Sequence, residues 1–300
     1  MHALVTGGGG FLGAAIVKAL LANGTSVRTF SRSAHSTLDG LDVDAHFGDL
    51  VDRAALVRAA QGCDVVYHVA AKAGVWGYAR DYELANVVGT ENVIAACAEH
   101  NVSQLIYTSS PSVVFAGTDE SGVDERHPYP THYLAHYPRT KAIAERHVIA
   151  AANTGLATIA LRPHLIWGPG DPHLVPRILQ CAQAGRLRLV GSGQNLVDST
   201  YVDNAAQAHL DASNALTRDS SLSGRAYFIS NDEPVPIRSL IDAMLRAGGL
   251  GPVERQIHPK LAYALGGLLE ALYRLTGRQD EPIMTRFVAR QLTTEHWYNL

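Results

Sequence analysis

A short apolar strand followed at once by a run of glycines is the feature that most constrains this chain. Residues 3–6 (ALVT) predict a strand, and residues 7–13 (GGGGFLG) lead into a helix that runs to about Ala22. Glycines at this spacing allow a tight turn, close approach of the backbone to a pyrophosphate and close packing of helix on strand. The N–H groups of the helix N-terminus favour the same anion. We therefore predict a dinucleotide site with contacts from Gly7, Gly10, Phe11, Leu12 and Gly13.

Strands and helices continue to alternate after this turn. Apolar runs predict strands at 26–30, 45–47, 64–68, 104–108 and 157–161, with helices between most of them. This alternation favours a parallel sheet with helices on both faces, so we predict an α/β fold of the Rossmann type, doubly wound.

A loop rich in glycine and proline (166–172, IWGPGDP) marks a change in the pattern. Shorter, less regular elements follow it, including a strand near 226–229. We expect a nucleotide-binding Rossmann domain over 1–168 and a smaller C-terminal α/β substrate lobe over 169–300, from which some segments return to the first domain.

The end of the second strand bears on the choice of cofactor. An NAD-preferring fold places a carboxylate there, whereas this chain has Ser31 and Arg32. An arginine pairs with the 2′-phosphate of NADP, so we expect NADP(H), with NAD(H) as the alternative. Alternatively, the Arg32 side chain stacks on the adenine ring or points to solvent.

Other strand ends supply further candidate contacts. Asp49, beside Leu50, accepts from the adenine amino group, or caps a helix beginning at Val51, or does both. Ala70 and Ala71 follow the fourth strand and allow the backbone to lie near the cofactor.

Tyr137 and Lys141 are the candidate acid/base pair. They stand four residues apart in YPRTK (137–141), on the predicted first turn of a helix, and so share a face. A cation beside the phenol is expected to lower the tyrosine pKa and to make an acid/base usable near neutral pH. Tyr129 and Tyr133 have no lysine at this spacing.

A hydroxyl-rich segment, TSSPS (108–112), ends the fifth strand. Ligands bind at the carboxyl ends of strands in such sheets, so these hydroxyls are expected to face the cofactor. Turn formation alone also explains serines at such a position.

Composition excludes several classes of function. The net charge of −3 and pI near 6.5 give no basic surface for nucleic acid. No apolar run is long enough to span a membrane, and the strand that begins by Ala3 leaves no room for a signal peptide, so we expect a cytoplasmic protein.

Cys63, Cys97 and Cys181 are far apart and are expected to be reduced thiols. His127, His132 and His136 lie in a loop rich in Tyr and Pro, and no metal site is expected.

The apolar segment 259–275 predicts a helix docked on the smaller lobe. Two alternative roles for this helix are a lid over an acyl-type substrate and a surface that contacts a membrane or a partner.

Together the glycine turn, the serine strand end and the Tyr–Lys pair resemble the extended short-chain dehydrogenase/reductase superfamily. HVAAKAG (68–74), IYTSS (106–110), LRP (161–163) and YVDN (201–204) look like the branch of 3β-hydroxysteroid and sterol-4-carboxylate dehydrogenases. GVWG (74–77), NLVDSTY (195–201) and HWY (296–298) are similar to bacterial 2-alkyl-3-oxoalkanoate reductases of olefin biosynthesis.

The resemblance implies roles for the matching residues. Tyr137 is then the proton donor to a ketone, Lys141 lowers its pKa and binds the nicotinamide ribose, and Ser110 polarises the substrate carbonyl. Asn86, in NVVGT (86–90), supports the site, and Pro163 lies against the nicotinamide. The resemblance also implies partner enzymes of olefin biosynthesis and a chain truncated after Leu300. A homodimer is one possible assembly, and the sequence does not determine the oligomeric state.

The leading interpretation is NADPH-dependent reduction of a 2-alkyl-3-oxoalkanoate, or another bulky apolar 3-oxo acid, to the 3-hydroxy acid. A 3β-hydroxysteroid or sterol dehydrogenase uses the same residues and is the nearest alternative. A nucleotide-sugar epimerase or dehydratase is disfavoured by Ser31–Arg32 and by Pro111–Ser112, where a dehydratase would carry Asp-Glu. A non-catalytic NADP-binding scaffold is disfavoured by the intact Ser, Tyr and Lys.

Overall fold

The structure is a computed structural model and describes residues 1–216 and 221–300. Its strands are β1 (His2–Thr6), β2 (Ser26–Ser31), β3 (Val43–Phe47), β4 (Val65–His68), β5 (Gln104–Thr108), β6 (Glu120–Val123), β7 (Ala157–Pro163), β8 (Ile166–Trp167), β9 (Leu189–Val190), β10 (Leu196–Val197), β11 (Thr200–Tyr201), β12 (Arg225–Ile229), β13 (Val235–Pro236), β14 (Gln256–Ile257) and β15 (His296–Tyr298). Its α-helices are α1 (Phe11–Ala22), α2 (Arg53–Ala60), α3 (Ala79–Tyr82), α4 (Gly89–Glu99), α5 (His136–Ala151), α6 (Leu174–Gln183), α7 (Val202–Ala215), α8 (Ile237–Ala247), α9 (Pro259–Thr276) and α10 (Arg286–Gln291).

The largest sheet of the described chain has the strand order β12-β7-β5-β4-β1-β2-β3, with every pairing parallel. Its central strands β1, β4, β5 and β7 are buried because helices cover both faces, whereas the edge strand β3 is largely exposed. Along β1, Leu4 packs into one core cluster, whereas Ala3 and Val5 pack into the cluster on the opposite face. The predicted Rossmann-type α/β fold is confirmed.

One strand lies elsewhere than the sequence pattern suggests. The segment near 226–229 was expected among the elements of the smaller lobe, but β12 pairs in parallel with β7 and forms the edge of the large sheet. Helix α7 precedes it and packs on α1, so α7 completes a crossover between the two strands. The domain division at residue 168 stays a prediction, with α7 and β12 as the segments that return.

A second, mixed sheet has the order β13-β10-β15-β6. It joins β6, from the first half of the chain, to β15 near residue 300. Helix α9 packs on α10 through its small residues, and a Cβ on Gly266 would lie 2.6 Å from the backbone of Thr285. The opposite side of α9 exposes Leu261, Leu268, Leu272 and Leu275.

None of the helices in the described ranges combines the length and apolarity that a membrane crossing requires.

Candidate active site

The glycine turn after β1 admits only glycine at two positions. Gly7 has φ of 69°, and a Cβ there would lie 2.9 Å from the Ala70 Cα. A Cβ on Gly13 would lie 2.1 Å from the Gly7 carbonyl oxygen. Gly10 caps α1, whose first turn carries no acidic side chain, so nothing opposes an anion at this helix end. These features fit the pyrophosphate of a dinucleotide, with Phe11 and Leu12 opening the helix.

The turn is braced by two residues that sequence reasoning missed. The His35 ring lies against Gly9, where a Cβ would come within 2.3 Å of it, and Thr37 donates a hydrogen bond to the Gly9 carbonyl at 2.8 Å. Neither residue belongs to a recognisable pattern, so only the fold reveals the contact.

The end of β2 is followed by the positively charged side chain of Arg32. The Ser31 hydroxyl donates to the Ser33 carbonyl at 2.8 Å, which fixes the turn. Arg32 is exposed, and within the described chain its guanidinium has no hydrogen-bond or ion-pair partner. It is therefore available to an anion beside the second strand.

The predicted helix cap at Asp49 is wrong. Helix α2 begins at Arg53 rather than Val51, and Asp52 is the residue that accepts from its first turn, at 3.0 Å from the Ala55 nitrogen. Asp49 instead accepts from the Val51 nitrogen at 3.1 Å, in a local turn that leaves the carboxylate exposed. Binding to adenine stays a prediction for Asp49.

Hydrogen bonds hold the residues that follow β3 and β4 in the described structure. The Leu50 carbonyl accepts from Asn92 at 2.9 Å. The Ala70 nitrogen donates to the Thr6 carbonyl at 3.1 Å, which draws the end of β4 against the glycine turn. Ala71 follows on this edge and is exposed.

Tyr137 and Lys141 lie on the first turns of α5, as the spacing predicted. Lys141 is 2% exposed, and its ammonium donates to the Thr108 carbonyl at 2.6 Å. It also lies 4.1 Å from the centroid of the Tyr107 ring, a cation–π contact. Burial lowers the Lys141 pKa to about 7, although Glu145 opposes the shift.

The expected lowering of the Tyr137 pKa is wrong for this structure. Burial raises the pKa above its usual value, and the opposing contribution comes from a hydrogen bond with Ser110. Lys141 does not act in this way, because its ammonium is directed at the Thr108 carbonyl. Tyr137 is therefore protonated at neutral pH.

Of the three serines after β5, Ser110 is the one that approaches Tyr137. Its hydroxyl lies 2.9 Å from that of Ser112 and caps the turn at 111–113. Ser109 is buried, and its hydroxyl has no hydrogen-bond partner among the described residues. Ser110, Tyr137 and Lys141 thus meet at the carboxyl edge of the sheet.

Asn86 connects this site to the loop after β4. Its amide oxygen accepts from the Lys72 nitrogen at 2.7 Å, and its amide nitrogen donates to the Lys72 carbonyl at 3.1 Å and to the Thr140 hydroxyl at 3.0 Å. Asn86 lies in a π-helical segment (Glu83–Val88), an irregularity that often marks functional sites. The loop and α5 are therefore held in one arrangement.

A buried ion pair fixes α5 against β7. Arg162 donates to Glu145 at 3.0 and 2.6 Å, and Tyr129 donates to the same carboxylate at 2.5 Å. Pro163 follows directly and ends β7 beside the site.

A cavity of about 490 Å³ opens beside the start of α5. Its walls come from the loop after β4, the residues just before Tyr137, and helices α9 and α10. The lining mixes aromatic and cationic side chains, among them Trp76, His136, Arg139, Tyr273 and Arg274.

Two curated relatives share about half of their residues with this chain. A 2-alkyl-3-oxoalkanoate reductase of Shewanella oneidensis is 49% identical over 307 residues, covering 100% of this chain and 79% of that protein. Another, from Stenotrophomonas maltophilia, is 50% identical over 303 residues, covering 100% and 92%. A decarboxylating sterol-4-alpha-carboxylate 3-dehydrogenase of Mus musculus is 36% identical, covering 98% and 82%.

Solved structures agree with the fold. The crystal structure of gox2253 superposes with a TM-score of 0.77 at 26% identity, covering 97% of this chain and 87% of that one. MoeE5, in complex with UDP-glucuronic acid and NAD, gives 0.73 at 26% identity, covering 86% and 85%.

The sheet, its glycine turn and these relatives define a nicotinamide-dependent oxidoreductase of the short-chain dehydrogenase/reductase type. More narrowly, the chain belongs to the 3-beta hydroxysteroid dehydrogenase/isomerase family, whose model matches residues 4–258.

Proposed function

We propose that this protein reduces a 2-alkyl-3-oxoalkanoate to the corresponding 3-hydroxy acid with NADPH. The observation that carries the proposal is the meeting of Ser110, Tyr137 and Lys141 at the carboxyl edge of the sheet, where burial raises the Tyr137 pKa. Identity near 50% over the whole chain to two proteins named 2-alkyl-3-oxoalkanoate reductase supports the substrate.

Each residue of the site has one task in the reaction. The Ser110 hydroxyl donates to the ketone oxygen and polarises the carbonyl. The hydride for the carbonyl carbon would come from NADPH when it is bound. Tyr137 donates its proton to the oxygen as the carbon–oxygen double bond becomes single, and solvent later returns a proton to the phenolate. Lys141, whose side chain donates to the Thr108 carbonyl, would hold the ribose of the bound cofactor.

The raised Tyr137 pKa fits the role of proton donor that reduction requires. A proton donor must be protonated before the reaction, and burial keeps this phenol protonated through the neutral range. Oxidation would require the phenolate, which burial disfavours.

Arg32 supports NADPH over NADH. It is exposed at the end of β2, and the described residues around it offer no competing carboxylate partner. A 2′-phosphate would form a charge-assisted hydrogen bond there, worth about 1.5–3 kcal/mol.

A substrate panel tests the proposal. Following NADPH absorbance, we expect turnover of a 2-alkyl-3-oxo acid at a kcat/KM at least about tenfold above that of a 3-ketosteroid or a UDP-sugar. NADPH should be preferred to NADH by about 10- to 100-fold, and Arg32→Ala should remove most of that preference.

Turnover of the ketosteroid alone would move the function to the sterol branch that the mouse relative represents. Equal use of NADH by the unaltered protein would refute the role of Arg32. Arg246→Gln, an exposed arginine on α8, is the control for loss of surface charge.

A further inference from the structure

The cavity beside α5 has an excess of positive charge. Four arginines line it (Arg139, Arg274, Arg278 and Arg286), against a single carboxylate, Glu270. Aromatic and aliphatic side chains make up much of the remaining wall, including Trp76, Leu134, Tyr273 and Phe287. A wall of this kind fits an anion that carries apolar chains.

Three of these arginines are already paired. Arg286 donates to Glu270 at 2.9 and 2.7 Å, and its backbone nitrogen binds the same carboxylate at 2.8 Å. Arg139 donates to Glu83 at 2.7 Å, and Arg278 donates to Asp280 at 3.0 and 2.6 Å.

Arg274 is the exception. Its nearest carboxylate oxygen is that of Glu270 at 3.7 Å, too long for a hydrogen bond, and its side chain is 64% exposed. Its guanidinium lies 5.5 Å from the Trp76 ring, whose indole N–H donates to the Arg278 carbonyl at 3.0 Å. The cation is thus held in position by an aromatic face while its N–H groups lack a strong acceptor.

Arg274 lines the cavity that opens beside the start of α5, the helix that carries Tyr137. In a 3-oxo acid the carboxylate is separated from the ketone by one carbon, so its anchor must lie close to the proton donor. His136 lines the cavity, immediately precedes Tyr137, and packs near Tyr82 with ring centroids 6.2 Å apart. The pKa of His136 is lowered by burial first, and then by the charges of Arg139 and Arg274. The positive charge of Arg274 therefore acts on the residue that immediately precedes Tyr137.

We propose that Arg274 binds the substrate carboxylate and selects 3-oxo acids over neutral ketones. This inference rests on the proposed function and deepens it. Charge selection would come from the guanidinium, and the apolar wall around it would accept the alkyl chains.

The test compares a 2-alkyl-3-oxo acid with its methyl ester, which keeps the ketone and both chains but has no charge. In Arg274→Gln we expect the KM for the acid to rise about 10- to 100-fold and that for the ester to change less than about threefold. Arg274→Lys should restore part of the affinity, because it keeps the charge without the planar fork. Arg246→Gln, on α8 and not among the residues that line the cavity, should leave both values unchanged.

A parallel loss for acid and ester in Arg274→Gln, or no loss for either, would overturn the proposal. Calorimetric titration with a saturated 2-alkyl carboxylic acid separates this failure from that of the reductase function, because it needs no turnover. If the unaltered protein fails to reduce the 3-oxo acid but binds this carboxylate through Arg274, the role of Arg274 as carboxylate anchor is supported and the reductase function is refuted. Equal affinity of the unaltered protein and Arg274→Gln for the saturated carboxylic acid would refute the role of Arg274 as the anchor.

Discussion

Lys141 is a lysine in a buried position, where desolvation makes the charged form unfavourable. Burial lowers its pKa to about 7, and the Thr108 carbonyl accepts its hydrogen bond at 2.6 Å. The Tyr107 ring covers another side. A lysine so confined has few rotamers left, so in the proposed reaction the cofactor ribose meets a preorganised donor.

Tyr137 shows why the residue types alone could not predict the electrostatics. The sequence correctly places the phenol and ammonium on one helix, and a lowered tyrosine pKa follows if the two interact. In the fold the ammonium turns to a carbonyl and burial dominates, so the pKa rises. Spacing reports which side chains share a face, whereas desolvation depends on neighbours far away in sequence.

At the scale of elements, α5 is fixed to β7 by the Glu145–Arg162 pair, both members of which are buried. Glu145 lies one turn after Lys141, and Arg162 directly precedes Pro163. The pair therefore sets how the helix that carries Tyr137 meets the strand end beside the site.

Glu145→Gln should destabilise the fold by about 3–5 kcal/mol, because it leaves the Arg162 charge buried without its partner. Urea unfolding measures the change. Glu99→Gln, at an exposed position near the end of α4, should stay within about 0.5 kcal/mol of the unaltered protein. The double variant Glu145→Gln/Arg162→Met should recover part of the loss, and a double variant less stable than Glu145→Gln alone would contradict the unpaired-charge explanation.

Elements with strong local signals were predictable, and those defined by distant pairing were not. The turn after β1 and the start of α5 follow from glycine spacing and helix propensity, and α9 matches its apolar run. The position of β12 could not be read locally, because an edge strand of the large sheet and a strand of a small lobe have the same apolar pattern. Capping was one of the two roles expected of Asp49, and Asp52 caps α2 instead; both aspartates satisfy the same sequence preference.

At the scale of the whole molecule, β6 and β15 join parts of the chain that are far apart in sequence. The Tyr298 hydroxyl donates to Glu120 at 3.1 Å, and the Tyr298 nitrogen donates to Asp198 at 2.8 Å. The other oxygen of Glu120 has no hydrogen-bond partner among the described residues. No sequence pattern predicts such a cluster, since its members come from separate segments.

The stability of this junction should depend on pH through Glu120. Burial raises the Glu120 pKa from 4.5 to about 7, opposed by the Tyr298 hydroxyl and by Arg162. A raised acid pKa means that the folded state binds the proton more tightly, so this contribution is fully present below pH 4.5 and is lost as pH rises through 7. The loss amounts to about 3 kcal/mol.

Glu120→Gln isolates this effect from the buried histidines, whose lowered pKa values act in the opposite direction. Urea unfolding at about pH 5 and about pH 8 should show the unaltered protein losing about 2.5 kcal/mol relative to the variant. A difference between the two proteins that does not change with pH would contradict the assignment.

The most direct measurement of the central claim is the single-turnover rate of NADPH oxidation by a 2-alkyl-3-oxo acid in Tyr137→Phe. Removing the proton donor should slow the step by about 10²- to 10⁴-fold, while NADPH affinity, followed by its fluorescence, stays within about threefold. Tyr227→Phe, on the edge strand β12, is the matched loss of a phenol and should react at the original rate. A Tyr137→Phe protein that reduces the acid within about threefold of the original rate would contradict the account.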